Sequence, residues 1–207
     1  MKRSILGEIQ PLVREQVWRL SDLKLLKTAY FDMGANHFGH ISPEEPRLGP
    51  DGSIFVQTVA CGIERITGVN TDQLKSQLVH TFPGAWCGVP TIVGHYLIQS
   101  VPVTHGLIVL DVAKGEKPVE VSRLKLSDGY NPHWTGWDPA AQRLVVTSGS
   151  SSKDRMYLLK VDQQTGALAI DDAFRDTDSK PGFNFEDRVW PHGWKGSSLP
   201  HGVVFSR

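Results

Sequence analysis

Eight histidines and two cysteines are the residues of this 207-residue chain best suited to hold a metal or activate a small molecule. Two of the histidines share a pattern. His133 opens HWTGWD and His201 opens HGVVFS, so the two overlay at the start of a strand. If those strands belong to successive units of a repeat, both imidazoles face one axis. The same place in earlier units falls at Pro43, one residue from Glu44, and at Ala85, one from Trp86, with Cys87 next. Imidazole suits copper, iron or zinc, and thiolate suits copper(I). A carboxylate beside a liganding imidazole is the expected support. The candidate metal set is therefore His133, His201, His40 and Glu44, with Glu45 beside it and Cys87 as a possible thiol.

A plainer reading stands next to this one. A histidine at a strand start often caps a turn or bonds a neighbouring backbone group. His105 starts a third strand away from the axis and reads as structural, and His37 as solvent-exposed. His192, in WPHGW, is either a lid residue or part of a loop pinned by its tryptophans. Cys61 ends an apolar strand and reads as a small buried hydrophobe. Trp134 and Trp137 read as packing between units. The Ser148–Ser152 loop lacks phosphate-loop spacing, and no nucleophile elbow is present.

The elements that must position these residues are short strands. From Gly129 to Asp176 the order is a segment Pro132–Trp137, a turn at Asp138–Ala141 and a β-branched run Leu144–Thr147. A Ser-rich loop, an alternating strand Met156–Val161, a QQTG turn and a last strand Leu168–Phe174 follow. Such an order reads as an antiparallel meander, and four strands in about 45 residues make one β-propeller blade. Second strands at Ile54, Tyr96 and Leu144 are about 42 and 48 residues apart, and third strands at Ile63, Gly106 and Arg155 about 43 and 49. Two landmarks that shift together mark a repeat array rather than a sandwich. The expected fold is all-β: a propeller of three full four-stranded blades plus partial blades. We expect an arc of a larger, seven-bladed ring, with a closed four-bladed ring as the alternative. The units are a partial blade over 1–31, blades over 40–83, 84–127 and 129–176, and a crossing loop with an inner strand near 200–206 over 177–207.

Composition narrows function. Lys plus Arg and Asp plus Glu number 22 each, which leaves no basic footprint for nucleic acid and no polybasic signal for a membrane. No apolar run approaches the roughly twenty residues of a membrane span, and the N-terminus lacks a signal peptide's apolar core. Two cysteines make no disulfide framework and match no zinc spacing, so a reducing, cytoplasmic setting is the expectation. An arc leaves blade faces uncovered, which predicts self-association or docking to a missing propeller half.

The order VWRLSDLKLLKTAYF, FVQTVACGIERITGV, THGLIVLDVAKGEKPVEVSRLKL and QRLVVTSG…YLLKVDQQTGALAIDDAF resembles the selenium-binding protein / methanethiol oxidase family. The resemblance covers nearly the whole chain but about the C-terminal half of the family's propeller. Its most specific elements are His105-Gly106 with the strand and KGEKPVEV turn that follow, and the LKVDQQTGAL hairpin. It implies a β-propeller, oxidation of a small-molecule thiol with copper, and in some members selenium bound through a cysteine. The family's Cys-x-x-Cys segment has no counterpart here. The expected function is thus a metal-binding thiol oxidase using channel histidines. The alternatives are a non-catalytic propeller piece acting as a binding module and, third, a metal-dependent lactonase with a carboxylate-rich funnel.

Overall fold

The computed structural model describes residues 14–30, 42–71 and 73–205. Apart from one 3₁₀ turn at Pro102–Thr104, the elements among the described residues are strands. A hairpin of β1 (Arg14–Arg19) and β2 (Lys24–Tyr30) comes first. Three four-stranded antiparallel sheets follow, each a meander in sequence order. The first holds β3 (Pro43–Leu48), β4 (Ile54–Thr58), β5 (Gly62–Thr67) and β6 (Lys75–Thr81). The second holds β7 (Thr91–Val93), β8 (Tyr96–Val101), β9 (Gly106–Asp111) and β10 (Val119–Lys125). The third holds β11 (Pro132–Asp138), β12 (Arg143–Ser148), β13 (Tyr157–Val161) and β14 (Leu168–Ile170). This is a partial β-propeller of three blades. Among the described residues, no helix is long and apolar enough to cross a membrane.

Burial along the strands follows from stacking. β8, in the middle blade, is covered on both faces and reads as the unbroken run YLIQSV, every residue buried. β10, at the outer edge of the same sheet, is largely exposed and alternates. Blades two and three share a cluster that includes Tyr96, Ile98, Leu107, Val109, Leu144 and Val146. Blades one and two share Phe55, Ile63, Leu97, Ile108 and Leu110. The outer face of blade one offers far less: Val56 and Ile66, flanked by Ile54, Val69 and Leu74. The N-terminal hairpin rests there, tied by Lys27 Nζ to the carbonyls of Gly68 (3.4 Å) and Val69 (3.1 Å).

Several expectations need correction. Cys61 and Cys87 form a disulfide, so Cys87 is no free thiol and Cys61 is more than apolar filler. The two lie 26 residues apart in sequence. Stacking of blade two on blade one brings them together, with Cys87 N–H donating to the Val59 carbonyl at 3.1 Å. Residues 200–205 carry no strand ladder, although they run where an inner strand would lie; 206 and 207 fall outside the described residues. The last strand of blade three ends at Ile170, where the buried carboxylate of Asp171 takes an ion pair from Arg143 at 2.7 Å. The crossing loop has structure of its own, a hairpin of β15 (Arg188–Val189) and β16 (Lys195–Gly196). Asp176, its carboxylate buried, anchors this loop through Arg188 and Arg155.

Candidate functional site

The inner strands position the site, and each carries an irregularity at the same level. In blade three, Pro132 pairs with Ser148 and Trp134 with Thr147. Two steps on β11 oppose one on β12, so His133 is the extra residue of a β-bulge. In blade one, Pro43 pairs with Thr58 and Pro46 with Val56, which places Glu44 and Glu45 in the bulge. In blade two, Gly88 bonds to Ser100 and Thr91 pairs with Ile98, again one residue too many. A bulge bends its strand and re-aims a side chain. Here it turns one residue per blade out of the regular alternation.

His133 and His201 come together. Their ring centroids are 4.6 Å apart at an interplanar angle of 52°. Trp86 stacks on His133 at 5.6 Å and 28°, and Trp134 lies 5.7 Å from His201. The segment bearing His201 is held by Thr147 Oγ1, which donates to the His201 carbonyl at 3.1 Å. Gln57, at the matching place in blade one, donates to the Cys87 carbonyl at 3.1 Å. Two glycines make room for His133. A Cβ on Gly149 would sit 2.8 Å from the His133 Cβ and Cγ, and one on Gly88 would sit 2.0 Å from the His133 carbonyl oxygen. Val89 N–H donates to that oxygen at 2.6 Å.

The electrostatics favour an uncharged His133. Burial, and then the charge of His201, lower its pKa below the ordinary histidine value. Its Nδ1 is buried and, among the described residues, has no hydrogen-bond partner. Burial raises the pKa of Glu44, and the neighbouring Glu45 adds to this, while His201 opposes it. Glu44 therefore lies within electrostatic reach of His201.

Of the candidates, the fold brings His133 and His201 into contact, with Glu44 in electrostatic reach of His201. Among the described residues, however, no three His, Cys, Asp or Glu side chains form a group able to hold a metal ion. His40 and His37 lie outside the described residues, and Cys87 is committed to its disulfide. His105 is structural: it adopts the left-handed conformation after a 3₁₀ turn, Pro102–Thr104, with Nδ1 3.1 Å from the Tyr130 carbonyl. His192 lies between β15 and β16 on the crossing loop. Trp137 packs against the core shared by blades two and three. Sequence reasoning missed Trp86, Gly88 and Gly149 as parts of the site. The repeat offset did fall within one residue of Trp86. A cleft of about 440 Å³ lies farther along the C-terminal segment, between Gly136–Ala140 and Val203–Phe205, and no histidine lines it.

No protein-family model matches the chain, and no curated protein does. Solved structures do match it. A hypothetical selenium-binding protein from Sulfolobus tokodaii superposes with a TM-score of 0.61 at 16% identity, over 76% of this chain and 45% of its own length. A 6-phosphogluconolactonase-like protein from Bacteroides uniformis gives 0.58 at 14% identity, over 83% and 48%. Another from Bacteroides fragilis gives 0.53 at 14%, over 70% and 40%. At such identities the likeness is one of fold. The chain spans less than half the length of each of these structures, and the likeness is that of a partial propeller fold.

Proposed function

We propose that this chain is the metal-binding portion of a propeller of the selenium-binding type, with His133 and His201 as imidazole ligands and copper as the ion. The observation that carries this reading is the imidazole pair, at 4.6 Å, on a bulged inner strand and its neighbouring segment, with a buried His133 Nδ1 that no group among the described residues satisfies. Burial and the second imidazole both disfavour protonated His133, and the neutral ring is the form that donates to a metal. Two imidazoles suit copper. Glu44 is the carboxylate nearest in electrostatic terms, and His40 is the further candidate from outside the described residues.

Selenium does not fit in the same way. Both cysteines are paired and no free thiol exists, so binding through Cys87 is dropped. Bound copper would supply one-electron chemistry toward a small thiol. The chain's own residues present and wall the site: the bulge aims His133, Trp86 covers one face of its ring, and Glu44 brings a charge. Thiol oxidation belongs to the completed ring, for which seven blades is our reading, with the remaining blades supplied by another segment or a second copy. The buried disulfide suits an oxidising compartment, in place of the cytoplasm that two unpaired cysteines suggested.

Glu44 and Glu45 in the bulge of β3 favour a second reading, a lactonase-type funnel that holds a divalent cation through carboxylates. Copper titration into metal-free wild type, His133→Ala and His201→Ala, each checked for folding, separates the two. Loss of a true ligand should weaken copper binding beyond the roughly 10–100-fold cost of altering a supporting group. Equal affinity in all three proteins would defeat the proposal. Calcium binding lost only in Glu44→Gln would move the assignment to the lactonase reading. Copper binding without thiol turnover in the completed ring would leave a binding module.

A further inference from the structure

The segment Trp86–Val89, which leads into β7, is held by more anchors than the entrance to a three-residue strand requires. Cys87 is joined to Cys61, in the turn between β4 and β5 of the previous blade. Its N–H donates to the Val59 carbonyl at 3.1 Å, and its carbonyl accepts Gln57 Nε2 at 3.1 Å. The Gly88 carbonyl accepts Gln99 Nε2, and Gly88 N–H donates to the Ser100 carbonyl at 3.1 Å. Gln57 and Gln99 occupy matching places, three residues past Ile54 and Tyr96, and both are fully buried, as are the two cysteines.

The same short segment touches the imidazole pair. Trp86 stacks on the His133 ring, Gly88 lies against the His133 backbone too closely to admit a Cβ, and Val89 N–H bonds the His133 carbonyl. Covalent anchor and imidazole contact are thus adjacent residues. A donor pair works only when its side chains are locked to within about half an ångström by their supports. Without the cross-link, Trp86 and Gly88 would depend on hydrogen bonds alone.

We infer that the Cys61–Cys87 disulfide is a positioning element for the imidazole pair, fixing Trp86 and Gly88 so that His133 stands against His201. The inference rests on reading that pair as the site. The disulfide acts by constraint and not as a switch, since both sulfur-bearing residues are shielded from solvent.

The test reads the NMR shifts of the imidazole protons, and the proton contacts among His133, His201 and Trp86, in the metal-free chain at one fixed pH. It compares wild type, the double variant Cys61→Ala/Cys87→Ala, Trp86→Ala and Trp86→Phe, with His105 as internal control. In the double variant the His133 ring-current shift should fade and its proton contacts to His201 should weaken, while the His105 signals keep their positions. Trp86→Ala should reproduce both changes with the disulfide intact, and Trp86→Phe should restore most of the wild-type behaviour. Copper affinity should fall about 10–100-fold in the double variant and in Trp86→Ala, as for the loss of a supporting group. An unchanged His133 signal in Trp86→Ala, or in a folded double variant, overturns the inference. If the double variant does not fold, the two Trp86 variants still decide. Wild type that binds no copper would defeat the proposed function, while the ring-current shifts and contacts would still judge the disulfide's role.

Discussion

The interface between blades two and three and the seat of the N-terminal hairpin on blade one are built from the same kind of strand, yet they differ in depth. Between blades two and three, apolar side chains from both sheets interdigitate, and Ile98, Val109, Leu144, Val146 and Leu159 are all fully buried. At the hairpin seat two buried residues, Val56 and Ile66, meet Gln16 and Val17 across a small gap of about 100 Å³. Trp18, Leu20, Leu23, Leu25 and Leu26 of the hairpin stay exposed. A blade becomes stable by being covered on both faces, since a lone sheet cannot bury its apolar sides. The middle blade of this arc has that cover on both faces and the hairpin does not. The site lies at the covered end of this contrast, where His133 leans on blade two.

The largest expected effect tests the deep interface. Leu144→Ala should cost about 3–4 kcal/mol in urea unfolding, within the roughly 2–5 kcal/mol span for a buried leucine, whereas Leu26→Ala on the hairpin should stay within about 0.5 kcal/mol. Similar losses in the two variants would break the comparison.

Next comes the disulfide between blades one and two. Closing a loop of 26 residues removes enough chain entropy to contribute roughly 3 kcal/mol. Cys61→Ala/Cys87→Ala should lower the unfolding midpoint accordingly. No change would mean that packing alone holds the two blades.

Acid should then loosen the crossing loop. Burial alone would raise the pKa of Asp176, but hydrogen bonds from Arg188, Thr177 and Asn184 outweigh it and bring the value to about 2. A carboxylate depressed below its unfolded value of 3.8 stabilises the fold above that pH and loses the contribution as pH falls through about 2. The stake is about 2 kcal/mol, and Asp176→Asn should flatten that part of the stability–pH curve. An unaltered curve in the variant would show that the loop is held by other contacts.

The smallest effect on stability, though a visible one in solution, concerns the exposed hairpin. Its apolar side chains form a surface of the kind that normally finds a partner. Light scattering should show self-association that Trp18→Ser with Leu25→Ser reduces. A clean monomer in wild type would mean that the hairpin seat needs no further cover.

Much of the fold was legible in the residues. The KGEKP and QQTG turns, the β-branched run Leu144–Thr147 and the offsets of second and third strands fall where the structure puts them, because a turn or an alternation is decided by near neighbours in sequence. The site was legible only in outline. Matching HWTGWD to HGVVFS pointed to two histidines at one level, and the fold does set them side by side. The strand expected for the second, however, is a segment without strand pairing, held by Thr147. Trp86 escaped notice as a ring partner because an aromatic residue before a cysteine looks the same whether it packs a core or caps an imidazole.

By itself, then, the sequence determined the meander, the repeat and the balanced charge, all of which depend on local periodicity and composition. Tertiary structure decided that Cys61 meets Cys87, that Trp86 covers His133, and that Gly88 and Gly149 are the residues that leave it room. Those contacts join separate blades, and their register turns on one extra residue in each inner strand. A one-residue shift moves a side chain to the other face of a sheet, and only the stacked blades fix which face is met.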